Sequence, residues 1–390
     1  MNEWTACQLG DVLTLQRGFD ITKATQRDGS VPVVSSSGIN SHHDEAKIQG
    51  PGVIIGRKGT LGTYFYLDEP YWPHDTTLWV KDFKGNDPKF CFYLLGSMEL
   101  AKYDVGAANP TLNRNQLHLL PTARPELDTQ RRIASILGSY DDLIEVNRRR
   151  VAALEEIARG LFEEWFVHFR FPGHENAPLV ESPDGPLPQG WTWGPAKELV
   201  AFDPKTKVPK DGYKPFIPMG HLDTVTSLIA SPESRTGNSG AKFRNDDTLF
   251  ARITPCLENG KTGLVRNLPG GVGFGSTEFI VMRGERSGPA FAYCLSRLPR
   301  FRDHAQSSMS GASGRQRART ESVETYTMAI PASNDPLDRF ESTAWPMLEL
   351  VGKLGSMNER LAASRDLLLP RLISGQLSVD AAERELELAA

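Results

Sequence analysis

Asp75-Thr-Thr-Leu-Trp-Val80 returns as Ser276-Thr-Glu-Phe-Ile-Val281, about 200 residues further along the chain. Working outward, Gly56-Arg-Lys-Gly-Thr-Leu-Gly62 has an echo in the stretch from Ala251 to Gly263, which ends Asn-Gly-Lys-Thr-Gly. Phe90-Cys-Phe-Tyr-Leu-Leu95 is matched by Phe291-Ala-Tyr-Cys-Leu295. A loop rich in small residues and ending in arginine follows each, Gly106 to Arg114 and Ser307 to Arg319. Leu120-Pro121 and Ile330-Pro331 then each precede a long helical pattern. One weak match is chance, but matches kept in one order mark an internal duplication.

Each half therefore reads as a globular module followed by a helix. Short apolar or alternating runs, such as Gly52 to Ile55, Thr63 to Tyr66 and Thr277 to Met282, are punctuated by Gly and Pro and interrupted by helices. That pattern predicts an α+β fold with two duplicated mixed α/β modules, residues 1–125 and 190–332. Between the halves, residues 171–189 carry five prolines, from Pro172 to Pro188, and read as an exposed linker.

The helices give the strongest periodicity. Ile133, Leu137, Tyr140, Ile144, Asn147, Val151, Leu154, Ala158, Leu161 and Trp165 alternate steps of four and three, the spacing of a heptad seam. A run of about 33 residues at 1.5 Å each spans about 50 Å. Asp128, just past Pro125, is placed to cap its start. A second run fits Ala344, Met347, Val351, Leu354, Asn358, Leu361, Arg365, Leu368 and Leu372; a register through Met347, Leu350, Leu354, Met357, Leu361 and Leu368 scores about as well. Pro346 and Gly352 put the start of this second helix in question. Each stripe needs a partner, either the other long helix or the helix's own module, and the length favours the first. Asn147 and Asn358 either fix the register of such a pair or lie at its wet edge.

The net charge of −4 conceals an asymmetry. Residues 190–332 carry +6, whereas 126–189 carry −5 and 333–390 carry −4. Phosphate would attract the second module and repel the helical segments, so the latter are suited to protein partners. The four scattered cysteines, without any C-x-x-C pair, fit neither a disulfide framework nor a zinc site and agree with a reducing cytoplasm. No apolar run reaches the length of a membrane span.

Motifs for chemistry fail on inspection. Glu258-Asn-Gly-Lys-Thr262 ends like a phosphate-binding loop, but Pro255 stands where the first glycine belongs. The glycines of 270–275 have the wrong spacing for a dinucleotide fingerprint. Asn109-Pro-Thr-Leu112 lacks the aromatic that would stack on a flipped base. Asp184 with Asp203-Pro-Lys205 loosely follows a nuclease metal site, but Asp184 falls in the proline-rich segment. The expectation is a binding protein with no catalytic centre, metal or cofactor of its own.

Arg124-Pro-Glu-Leu-Asp-Thr-Gln-Arg-Arg-Ile-Ala-Ser-Ile-Leu137, and Leu154-Glu-Glu-Ile-Ala-Arg-Gly-Leu-Phe-Glu-Glu-Trp-Phe166, resemble a conserved region of the specificity subunits of Type I restriction–modification systems. Leu187-Pro-Gln-Gly-Trp191 resembles the entry to their second target-recognition domain, and Arg365-Asp-Leu-Leu-Leu-Pro-Arg-Leu-Ile-Ser-Gly375 the end of their second conserved helix. The resemblance implies target-recognition domains at 1–125 and 190–332, and conserved helices at 126–170 and 333–376. A linker at 171–189 and an acidic tail at 377–390 complete the division, and the two conserved helices are expected to form an antiparallel coiled coil that spaces the domains. It further implies double-stranded DNA as ligand, with each domain reading half of a bipartite target. Two methyltransferase subunits, which bind S-adenosylmethionine and methylate adenine, would dock on the helices, and a restriction motor-nuclease subunit could join. The expected docking and seam residues are Leu137, Tyr140, Ile144, Asn147, Val151, Leu154, Leu161, Trp165, Leu354, Asn358, Leu361 and Leu368.

DNA contacts are nominated by chemistry alone. Arg57, Lys58, Asn113 and Arg114 in the first module are donors beside glycine turns, as are Arg252, Lys261, Arg315, Arg317 and Arg319 in the second. Arginine fits guanine edges and asparagine adenine, and either can hold phosphate. The cluster Arg315, Arg317, Arg319 concentrates charge that calls for an anionic partner. On the residues alone two other classes stay open: a nuclease or methyltransferase with divergent motifs, and a scaffold that binds only protein.

Overall fold

The computed structural model describes residues 4–106, 109–311 and 316–389. The first module opens with β1 (Thr5–Gln8) and a turn of helix, α1 (Leu9–Val12), followed by β2 (Thr14–Arg17), β3 (Val31–Ser35) and β4 (Gly38–His43). It continues through β5 (Gly52–Gly56), β6 (Tyr64–Leu67), β7 (Trp72–Pro73), β8 (Thr77–Asp82), α2 (Pro88–Ser97), α3 (Arg114–His118) and β9 (Pro121–Arg124). β1 pairs with β9, so the module closes on its own start before α4 (Leu127–Phe166) departs. One sheet has the order β2-β8-β5-β6 and a second the order β4-β3-β7, with β3 and β7 parallel. β5 reads Gly-Val-Ile-Ile-Gly because both its faces are covered, Ile54 on one side and Val53 and Ile55 on the other. Asp87 caps α2 by accepting from Phe90 N at 2.8 Å, with Pro88 in the first turn.

After a short ladder of β10 (Leu179–Val180) and β11 (Leu187–Pro188), the second module repeats this plan. Its strands are β12 (Trp191–Pro195), β13 (Val200–Phe202), β14 (Lys214–Ile217), β15 (Glu233–Arg235), β16 (Ala241–Arg244), β17 (Thr248–Ala251), β18 (Thr262–Leu264), β19 (Val272–Gly275), β20 (Phe279–Gly284) and β21 (Thr327–Pro331). Its helices are α5 (Pro289–Arg297), α6 (Pro299–Ser307) and α7 (Thr320–Val323), and α8 (Asp335–Ile373) and α9 (Val379–Ala389) follow. β12 closes on β21, the order β13-β20-β17-β18 mirrors β2-β8-β5-β6, and β15-β14-β19 mirrors β4-β3-β7 with β16 added beyond β19.

The duplication is thus architectural, but its strand alignment differs by one residue from the sequence match. Gly56 faces Thr77 and Ala251 faces Phe279, so Thr77 corresponds to Phe279 and Val80 to Met282. Side-chain alternation is the reason. Leu78 and Val80 enter the core beneath α2, as Ile280 and Met282 do beneath α5, whereas Phe279 and Val281 cover the opposite face with Phe243 and Leu249. A slip of one position would exchange the two faces.

The chain divides into two compact units, residues 1–144 with 360–390, and residues 145–359. In the first, the module packs on the start of α4 through Ile133, Ile136 and Leu137, on the end of α8 through Leu369, Leu372 and Ile373, and on α9 through Val379 and Ala382. In the second, the module packs on the end of α4 through Ala158, Phe162 and Phe166, and on the start of α8 through Phe340, Ala344 and Leu348. Within each unit the two helices run antiparallel and pack together.

Two local expectations are refined, the start of α8 and the cap of α4. α8 begins at Asp335 and runs through Pro346 and Gly352. An interior proline costs roughly 3 kcal/mol, offset here by burial of Ala344, Leu348 and Val351 along one face. Gly352 and Gly355 let side chains approach the helix closely, since a Cβ there would lie 2.8 Å from Arg266 Cδ and 2.6 Å from Leu228 Cδ2 and would displace them. Asp128 lies inside the first turn of α4, because Gln130 N already donates to Glu126 O at 3.0 Å; its charge there complements the helix N-terminus. Residues 171–189 are anchored at both ends, with the Phe171 ring stacked on Trp191 at 5.3 Å and Leu187 buried.

Candidate nucleic-acid interface

In the first module the residue after β5 is Arg57. Arg57 N and Lys58 N both donate to Thr76 O, at 2.9 and 3.0 Å, and Arg57 O accepts from Leu112 N at 2.9 Å. The loop before Leu112 is shaped by Asp104, whose Oδ1 accepts from Gly106 N and Thr111 N at 2.8 and 2.7 Å. Those bonds hold its carboxyl below the usual range. Asn113 caps α3, its Oδ1 accepting from Asn115 N at 3.0 Å. The result is a concavity of about 360 Å³ lined by Arg17, Arg57, Val105, Asn113, Arg114 and Asn115. Three of the four nominated donors of this module meet there; Lys58 is exposed beside them. Arg17, at the end of β2, was not singled out by sequence and is paired with Asp20 at 2.8 Å and Asp75 at 3.1 Å.

In the second module Arg252 follows β17, its N donating to Glu278 O at 3.0 Å and its O accepting from Ala318 N at 2.8 Å. It lines a concavity of about 520 Å³ with Lys205, Thr206, Lys242, Thr277 and Phe279. Lys205 and Lys242 reach this place through sheet topology, which no local motif announces. Lys261 stands apart, its Nζ donating to Met219 O at 3.1 Å. Arg319 is exposed, its Nε donating to Ser310 Oγ at 3.2 Å. Arg315 lies outside the described residues. Arg317 has an anionic partner within the chain, an ion pair with Glu278 at 2.8 Å. Asp203, half of the nuclease-like pattern, is taken up structurally, accepting from Val281 N at 2.9 Å and Thr320 Oγ1 at 2.7 Å.

The helix seam places Asn147 Nδ2 2.9 Å from Asn358 Oδ1, with Asn147 buried and Val151, Val351 and Leu354 packed beside it. Leu137, Ile144, Val151, Leu354 and Trp165 are buried; Tyr140, Leu154, Leu161, Leu361 and Leu368 are half-buried. The alternative register of α8 is excluded, since Leu350 and Met357 are 44% and 47% exposed. Arg365 pairs with Asp141, which also accepts from Tyr93 Oη at 2.6 Å.

Sequence reading missed Glu155. It is buried in α4, its Oε1 accepting from Ser227 N at 2.6 Å and its Oε2 from Tyr293 Oη at 2.5 Å, which locks the second module onto the helix. Burial pushes the Tyr293 phenol well up, so it stays a donor. Glu341, also missed, accepts from Ala290 N at 3.0 Å at the start of α5, and burial raises its carboxyl. Among the described residues, no group of three or more His, Cys, Asp or Glu is arranged to share a metal ion. None of the described helices is long and apolar enough to cross a membrane.

The family described as Type I restriction modification DNA specificity domain matches residues 1–156. The chain is 31% identical over 156 residues to the specificity subunit of the Type I restriction enzyme EcoEI of Escherichia coli, covering 38% of this chain and 26% of that one. It is 24% identical over 306 residues to the MjaIX specificity subunit of Methanocaldococcus jannaschii, covering 75% and 69%. The match to the first therefore spans about a quarter of that relative's length. Among solved structures, the S subunit of a Type I restriction–modification system from M. genitalium superposes with a TM-score of 0.60 at 15% identity, over 95% of this chain and 96% of that one.

Proposed function

We propose that this chain is a specificity subunit of a Type I restriction–modification system, as the match of residues 1–156 to that family's DNA specificity domain suggests, and that each of its two modules reads one half of an interrupted DNA sequence. The observation that carries the reading is the repeated edge. Two modules of one sheet plan each set a backbone-anchored arginine and further cations in a concavity, and each is built onto the same pair of long helices. In this reading Arg114, Lys205 and Lys242 meet phosphates, which fixes the module on the duplex, and base contacts give the sequence preference.

Helices α4 and α8 would dock two adenine methyltransferase subunits, and a restriction motor-nuclease subunit would join the assembly. Leu143, Val146 and Ile157 on α4, and Leu350, Met357 and Leu367 on α8, are exposed apolar side chains that a partner would cover. S-adenosylmethionine belongs to the methyltransferase in this scheme, and the chain contributes recognition, not chemistry. Such an assembly works on cytoplasmic DNA. Assembled with a methyltransferase subunit, the chain should direct methylation to adenines of one bipartite sequence, read by single-molecule sequencing of host DNA. Methyl transfer by the isolated, purified chain would sink the assignment of roles.

A further inference from the structure

Arg57 and Arg252 hold the same place in the two modules. Each follows a central strand of the four-stranded sheet, β5 or β17. Each donates its N–H to the turn before the next central strand, at Thr76 O or Glu278 O. Each also accepts at its carbonyl from the loop before a short helix, at Leu112 N or Ala318 N. The main chain of both is therefore pinned on two sides, and only the guanidinium is left to select a partner.

Neither guanidinium finds an acid among the described residues. Arg57 Nη1 makes one long bond, 3.4 Å to Asp75 O, and the buried Nε of Arg252 has no partner. Two nearby arginines differ: Arg317 is paired with Glu278, and Arg17 with Asp20 and Asp75. An arginine without an acid, at the lip of a concavity that holds further cations, points to an acceptor supplied from outside. The planar fork of arginine matches the O6 and N7 acceptors that guanine shows in the major groove. The cations around each arginine bring the duplex to it.

Resting on the reading of the modules as half-site readers, we propose that Arg57 and Arg252 are the equivalent specificity-determining residues of the chain. Each reads the guanine of one G·C pair in its own half of the target.

The test is the adenine-methylation sequence of host DNA when the chain is co-expressed with a Type I methyltransferase subunit. Arg252→Gln should relax, or change to A·T, one G·C position in one half by roughly one to two orders of magnitude. The other half, read by the untouched module, stays strict and shows that the variant is folded. Arg57→Gln should do the same in the opposite half. Arg252→Lys, which keeps a guanine contact within reach, should retain the parent sequence even if Arg252→Gln hinders assembly. An unchanged sequence in both Gln variants, an even loss of methylation at every site, or relaxation of the same half by both would overturn the inference and leave the half-site reading standing. Absence of any bipartite sequence with the parent chain would instead overturn that reading, and the inference with it.

Discussion

His118 shows how one side chain sets a pH limit on the first module. It lies in α3 and its Nε2 accepts from Leu15 N at 2.8 Å, which only the neutral ring can do. Burial, then the nearby cations Lys84 and Arg114, lower its pKa below the ordinary histidine value. The folded form thus resists a proton that the unfolded chain accepts. The stability this group contributes is complete above the unfolded pKa of about 6.5 and is lost as pH falls through that value towards the folded one. Thermal melts of the parent between about pH 7.5 and pH 5 should show an acid-side loss that His118→Gln, whose amide oxygen can still accept, largely removes. Equal pH dependence of the two would show that His118 does not titrate as described. At this scale the sequence was partly legible. Arg57, Arg114 and Arg252 were visible as donors beside glycine turns, because turn chemistry is local. Arg17, Lys205, Lys242 and Glu155 were not, because their neighbours are set by strand order and by helix docking across large sequence separations.

Among elements, the long helices were the most legible, since a heptad spacing survives in the sequence whatever the helix packs against. The register of α8 was not, because two stripes of apolar residues compete there. Burial of Val351 and Leu354 together with the Asn147–Asn358 bond decides it. The strand alignment failed by one residue for a related reason: β8 and β20 are apolar on both faces, so their hydrophobic pattern carries no phase. Val151→Asp would place an unpaired charge against Val351 and Leu354 and should cost about 3 kcal/mol or more. Replacing Asn147 and Asn358 together by Leu should leave the melting temperature unchanged or raise it, while methylation directed by the chain becomes less sequence-strict as the helices lose their fixed register. Denaturation curves and methylation sequencing of the two variants check both statements. A Val151→Asp form that melts with the parent would remove the seam from the account.

For the molecule as a whole, duplication joins sequence to the proposed role. One sheet plan, repeated with its own helix, would give two recognition edges on one polypeptide, so that one chain would ask two questions of one DNA molecule. The +6 charge of residues 190–332 against the acidic helical segments would favour phosphate at the second module, whereas residues 1–125 carry −1 and depend on the local cations of their concavity. The central claim is that each module reads its own half-site independently. Its most direct measurement replaces residues 190–332 by the matching module of another specificity subunit and sequences the methylated adenines of a host carrying the hybrid and its methyltransferase. The account predicts a bipartite sequence in which one half is kept unchanged and the other takes the donor's identity. Change in both halves together, or in neither, would contradict it.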